Sequence, residues 1–198
     1  MGRQHREGPA IVRLCDVAPE AWSNGLGLTR VLVSRPAWRL SVAEIAGRAP
    51  FSALPGLDRV LIPLSDEGLV LDIEGEVHRV PRHTAISFRG ENRVVAEAEG
   101  RAVRVFNVMV WRSAARVETV VGPTPPLDGA SAVAVLSGSA AHGSGPVSAP
   151  AVILPADGGG TASCRPLSSE TVLAAIRVTG RTGGPTQESR AAAIRSPF

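Results

Sequence analysis

The chain has 198 residues, with 44% hydrophobic and 4% aromatic side chains, no tyrosine, 21 glycines, 16 prolines and a formal net charge of +3 from 21 basic and 18 acidic residues. That length holds one hydrophobic core or two small fused lobes, and the density of Gly and Pro excludes a fold built on long helices. The low aromatic content removes base-stacking platforms, the charge forms no basic block that would favour nucleic acid or a membrane surface, and no run approaches the ~18 apolar residues of a bilayer span.

At the start of the chain, MGRQHREGPAIVRL shows no apolar leader, and Arg6 stands where N-myristoylation would need Ser or Thr. Only two cysteines, Cys15 and Cys164, are present, and they lack ligand spacing. The expectation is two reduced thiols in a cytoplasmic protein.

The first stretch with chemical content is AWSNGLGLTR (21–30). A dinucleotide loop joins a strand to a helix through three glycines and places an acid about 20 residues on. Here Gly25 and Gly27 have no third partner, the preceding DVAPEAW is not strand-like, and the following TRVLVS is β-branched. A Walker A reading fails for lack of Gly-Lys-Ser/Thr. An Asn-Gly turn, with Gly25 or Gly27 at positive φ, accounts for the glycines. It leaves Asn24, Thr29 and Arg30, whose amide, hydroxyl and guanidinium fork suit a carboxylate.

Strands are predicted at 10–15, 29–34, 38–45, 59–64, 68–73, 76–81, 84–88, 92–99 and 102–111, from β-branched or alternating runs separated by turn chemistry. In WRLSVAEI (38–45), Arg39, Ser41, Ala43 and Ile45 alternate with Trp38, Leu40, Val42 and Glu44, so neither face is freely solvated. EVHRVPRHTAISF carries His78 and His83 five apart with no acid between or just after them, while His5 and His142 lie elsewhere. No metal and no other cofactor is therefore expected. No nucleophile elbow occurs, neither cysteine has an activating His within its motif, and HGSG (142–145) reads as a hairpin turn. Arg59 opens the apolar strand RVLIPL, and Asn107 interrupts VRVFNVMVW. Inward-facing polar groups at such positions need partners, in the protein or on a ligand. Arg30 and Arg39 read equally well as surface arginines.

After GPTPPLDG (122–129) the order apolar strand, Leu-Ser, Gly turn, Pro, apolar strand, Gly turn of residues 60–90 recurs over 132–158. This suggests an internal duplication into two antiparallel lobes. SSETVLAAIR (168–177) fits a capped helix or a closing strand, and the strand is preferred. The tail 181–198 lacks a burying pattern and is expected to be flexible.

Four ordered stretches resemble the HutD/Ves family. AWSNGLGLTR matches its Trp-Lys-Asn-Gly-Gly-Gly-x-Thr-Arg signature at Trp22, Asn24, Gly25, Gly27, Thr29 and Arg30, with Ser23 and Leu26 departing from it. WRLSVAEI and APFSALPGLDR match a second block through Trp38, Arg39, Ser41, Ala43, Pro50, Phe51, Ser52, Pro55, Gly56 and Arg59. ISFRGE and FNVMVWR supply Phe88, Gly90, Glu91, Phe106, Asn107, Met109 and Arg112. The resemblance implies an all-β bicupin of two double-stranded β-helix lobes, an N-terminal one at 10–121 and a reduced one at 122–180. It also implies an accessory or sensing role in histidine utilisation, with a small acidic metabolite as partner. The expected contacts are Asn24, Thr29, Arg30, Arg59 and Asn107, supported by Trp22, Gly25, Gly27, Ser41, Ser52, Phe88 and Met109. No catalytic residue is assigned; a metal-independent isomerase or hydrolase on the same scaffold is the rival, with Asp58, Glu91 and His83 as the nearby acid/base groups. A second copy of the chain, in a homodimer, is the one macromolecular partner allowed for.

Overall fold

The computed structural model describes residues 11–22, 24–143, 145–155 and 164–181. Among them the regular structure is all β apart from one 3-10 turn, Leu14–Asp16. The strands are β1 (Ile11–Arg13), β2 (Glu20–Ala21), β3 (Gly27–Ser34), β4 (Trp38–Pro50), β5 (Leu57–Pro63), β6 (Leu69–Ile73), β7 (Glu76–Val80), β8 (Ile86–Arg89), β9 (Val94–Trp111), β10 (Ala115–Gly122), β11 (Ala132–Ser137), β12 (Ser139–His142), β13 (Gly145–Ser148), β14 (Ala151–Ile153), β15 (Arg165–Pro166) and β16 (Val172–Gly180). The segment 168–177 is thus chiefly strand, and HGSG is the β12–β13 turn, with His142 paired to Gly145.

Two compact units are present, one formed by 17–117 with 179–181 and the other by 11–16 with 118–178. In the first, an eight-stranded sheet runs β2-β3-β4-β9-β5-β8, with β6 added to β9 and β7 to β6, and curls into a near-closed barrel. All pairings given for it are antiparallel, so each face is read by simple alternation. One face carries a core of Trp22, Ala43, Ile45, Leu61, Phe88, Val103 and Val105 with their neighbours. The opposite face also buries Leu40, Val42, Ile62, Phe106 and Val108. This two-sided burial is what the mixed alternation of 38–45 implies.

The separate runs 92–99 and 102–111 form one strand, β9. Its pairing with β4 shifts from Ile45↔Val103 to Gly47↔Ala98, which absorbs the residues around Gly100 (φ 79°) as a bulge in a continuous ladder.

The second unit holds a five-stranded sheet ordered β1-β14-β11-β16-β10, and β13-β12-β15 form a three-stranded sheet. Its core gathers Val133, Val135, Ala140, Val147, Ile153 and Leu173. The run 10–15 contributes β1 to this sheet through Ile11↔Ile153, although it was expected in the N-terminal lobe. That pairing covers an edge of β14 with a strand from the distant end of the chain. Arg181, the first residue of the expected flexible tail, is held by its N–H on the Ala114 carbonyl; residues 182–198 lie outside the described residues, as does His5.

Candidate functional site

The glycine stretch at 21–30 is a turn that launches β3. Asn24 Oδ1 accepts from the Leu26 N–H at 3.0 Å, the Gly25 N–H donates to the Trp22 carbonyl, and Gly25 takes φ 71°. Gly27 serves another purpose. A Cβ there would lie 2.8 Å from both the Glu44 carbonyl oxygen and the Trp22 ring, so only glycine lets the indole lie against the β3–β4 pair. The seated indole donates from Nε1 to Thr29 Oγ1 at 2.8 Å. Trp22 then meets Phe51 edge-on at 6.1 Å, and Phe51 stacks with Phe88 at 6.4 Å.

Across β4, β9 and β5 the register makes rows. Arg39 and Arg59 both pair with Met109, and Arg59 also pairs with Phe88 on β8; in the next row Ser41 and Leu61 both pair with Asn107. These residues share the face that carries the Trp22–Phe88 core. The cluster is deeply enclosed: Arg59 and Asn107 are 4% exposed, Arg39 3%, and Ser41 and Thr29 1%. The surface reading of Arg39 is therefore corrected. Apolar residues on both sides of β4 hide which face points inward, and closure of the sheet turned this one in.

Arg59 lies with its guanidinium carbon 4.7 Å from the Phe51 ring centre and 5.0 Å from that of Phe88. Among the described residues it forms no ion pair, and its Nε has no hydrogen-bond partner. Burial, reinforced by the positive charge of Arg39, holds its pKa well below the usual arginine value, at about 9. Burial also lowers Arg39, partly offset by Glu20; Arg39 Nη2 reaches Met109 Sδ at 3.4 Å. Ser41 Oγ and Asn107 Oδ1 are likewise buried without partners. The barrel interior thus concentrates positive charge and polar atoms whose hydrogen bonds the protein leaves unmade, an arrangement that stabilises a bound anion.

The other expected contacts fall elsewhere. Arg30 is on the opposite face, in register with Val42, and its Nη1 pairs with Glu44 Oε1 at 2.9 Å. Asn24 is exposed in the turn, and Ser52 is exposed in the loop after β4. Thr29 is buried on the inner face, already accepting from Trp22. Of the acid/base candidates, Asp58 meets Arg112 Nε at 2.7 Å and Glu91 clamps the Arg112 guanidinium through two 2.9 Å bonds. The Arg112 bonds hold the Glu91 carboxyl at about 2, far below the ordinary range. His83 Nε2 accepts from Arg82 Nε at 3.2 Å, and burial followed by the Arg82 charge lowers its pKa. Among the described residues no three His, Cys, Asp or Glu side chains are placed to hold a metal ion, and both cysteines are free thiols.

Several known proteins share this arrangement of strands. HutD from Pseudomonas fluorescens SBW25 superposes with a TM-score of 0.71 at 20% identity, covering 88% of this chain and 100% of that one. A conserved protein of unknown function from Pseudomonas aeruginosa PAO1 gives 0.68 at 19% identity, over 87% of this chain and 99% of that one. A cupin 2 conserved barrel domain protein from Leptotrichia buccalis gives 0.52 at 11%, covering 90% and 99% of the two chains, which makes the fold cupin-like. In sequence, the chain is 36% identical over 108 residues to Protein Ves of Cronobacter sakazakii, covering 50% of this chain and 59% of the relative. It is 29% identical over 139 residues to a 21.2 kDa protein of the hutC 3′ region of Pseudomonas putida, covering 65% and 73% of the two. The chain spans somewhat over half the length of the Ves relatives it matches, at 59% and 56%. The HutD family pattern matches residues 15–142, which include every residue of the enclosed cluster, and the chain belongs to the HutD family.

Proposed function

We propose that the 17–117 unit binds a small carboxylate metabolite on the inner face of its sheet, with Arg59 as the ionic partner and Asn107 and Ser41 as polar contacts. The observation that carries this reading is the buried Arg59 charge, which has no carboxylate of its own among the described residues. A charge in that position is costly, and an anionic ligand offsets the cost by supplying the missing half of the pair. Thr29, with its oxygen already accepting from Trp22, still has a hydroxyl proton to donate. Asn24 and Arg30 belong to the outer lip in this reading, where Glu44 holds Arg30.

Family association points to histidine breakdown as the source of the ligand, and a formylated or formimino acidic amino acid has the required carboxylates. The protein then acts as an accessory or sensing component. An isomerase or hydrolase would need a general base at the ligand, and the engagement of Asp58 and Glu91 by Arg112 favours binding over catalysis. We also read residues 10–121 and 122–180 as a duplicated pair of cupin-like lobes. Leu64-Ser65 follows β5 and Leu136-Ser137 closes β11, and each is followed by a glycine at positive φ, Gly68 and Gly138, which supports that reading.

Calorimetric titration with the N-formyl and N-formimino derivatives of glutamate and aspartate tests the ligand. Saturable binding to the parent protein is expected, with Arg59→Gln weakening it by about 2 to 5 kcal/mol, roughly thirtyfold or more. Failure of all these acids to bind, or unchanged affinity in a folded Arg59→Gln protein, overturns the assignment.

A further inference from the structure

A second cationic site lies on the other side of the same strands. A cleft of about 550 Å³, within the range of small-molecule sites, is lined by the side chains of Asp58, Ser87, Arg89, Arg112, Arg116 and Arg181, and Arg59 and Phe88 also border it. Asp58 pairs with Arg89 and Val60 with Ser87 across β5 and β8, alternating with the Arg59↔Phe88 pair. The side chains of Asp58, Val60, Ser87 and Arg89 therefore stand on the face opposite to that of Arg59, so the cleft reaches Arg59 and Phe88 from behind the enclosed cluster.

Its charges are unevenly satisfied. Asp58 and Glu91 both spend their oxygens on Arg112, which also donates to the Leu57 carbonyl. Arg181 is anchored by Nη1 on the Arg112 carbonyl and by its N–H on the Ala114 carbonyl. Arg89, Arg116 and Arg181 are exposed and take part in no ion pair among the described residues. Four guanidinium groups against two carboxylates leave a net +2, on a framework that the Arg112 bonds hold in place. Guanidinium forks match tetrahedral phosphate oxygens in pairs, and the Ser87 hydroxyl adds a donor.

We propose that this cleft binds a small phosphorylated ligand of charge −2 or more through the guanidinium groups of Arg89, Arg116 and Arg181. Inorganic phosphate, pyrophosphate and ADP titrated calorimetrically into the full chain at constant ionic strength test it. Pyrophosphate and ADP are expected to saturate one site, and Arg89→Gln with Arg116→Gln should weaken both by about tenfold or more. The charge-matched control Arg79→Gln with Arg93→Gln, on the β6–β7 side, should bind like the parent. ADP binding more tightly than pyrophosphate assigns a nucleotide, whereas equal or weaker ADP binding assigns the phosphate group itself. Arg181→Gln gives a second measure of the same loss, should the double variant not fold. The inference is overturned if none of the three ligands saturates the protein, or if the control pair weakens binding as much as the cleft pair.

Discussion

Arg39 and Arg59 face the same residue, Met109, from the two strands that flank β9, so two guanidinium groups are presented to one enclosed row of the sheet. Burial lowers the pKa of both, and the positive charge of Arg39 lowers that of Arg59 further. Structure alone does not reward such an arrangement, and it separates the demands of stability from those of binding.

Replacing Arg59 by methionine should expose that separation. The change removes a buried charge and keeps much of the length that packs against Phe51 and Phe88. In buffer free of organic acids the Arg59→Met protein is expected to be more stable than the parent by about 1 kcal/mol or more, while binding of carboxylates is lost. Urea denaturation and calorimetric titration on the same preparation check both halves.

Asn107→Asp places a carboxylate two residues along β9 from Met109, on the face shared with Arg39 and Arg59. An internal counter-ion should stabilise the unliganded protein and compete with ligand. The melting temperature is expected to rise, and carboxylate affinity to fall about tenfold or more. A lower melting temperature with unchanged affinity would place Asn107 outside the anion site.

Gly27→Ala tests the seating of Trp22. The added methyl meets the Glu44 carbonyl oxygen, which belongs to the sheet and cannot move aside. A loss of about 1 to 3 kcal/mol is expected, equivalent to roughly 2 to 10 °C in Tm, with an altered tryptophan emission as the indole leaves Thr29.

The bracket around Arg112 predicts an acid limb. Glu91 is held at about 2 in the folded protein against 4.5 as its ordinary value, so as pH falls the unfolded chain takes up the proton first. The stability from this pair is fully present above about 4.5 and is lost as pH falls toward about 2. In Arg112→Gln the Glu91 contribution to that slope should disappear, as read from denaturant midpoints across the interval.

Much of the fold was legible in local pattern. Period-two alternation and turn chemistry located most strands, including the two-sided burial of 38–45, the hairpin at 142–145 and the Asn-Gly turn at 24–25. Local pattern could not join 92–99 to 102–111, because a Gly-centred bulge and a chain break have the same local composition. It also could not send β1 to β14, a pairing between residues 140 positions apart at Val12↔Val152.

The site divides along the same line. By itself the sequence determined which residue types were available: Arg59 and Asn107 in apolar strands, an aromatic set at Trp22, Phe51 and Phe88, and the family motifs that contain them. Only the tertiary structure decided the side on which each arginine stands. Alternation says that Arg30 and Thr29 face apart, as do Arg39 and Leu40, but strands buried on both faces carry no polar stripe to mark the outside. Sheet closure and register settled it, placing Arg30 outside against Glu44 and Arg39 inside with Arg59, and committing Asp58 and Glu91 to Arg112 rather than to the enclosed charge.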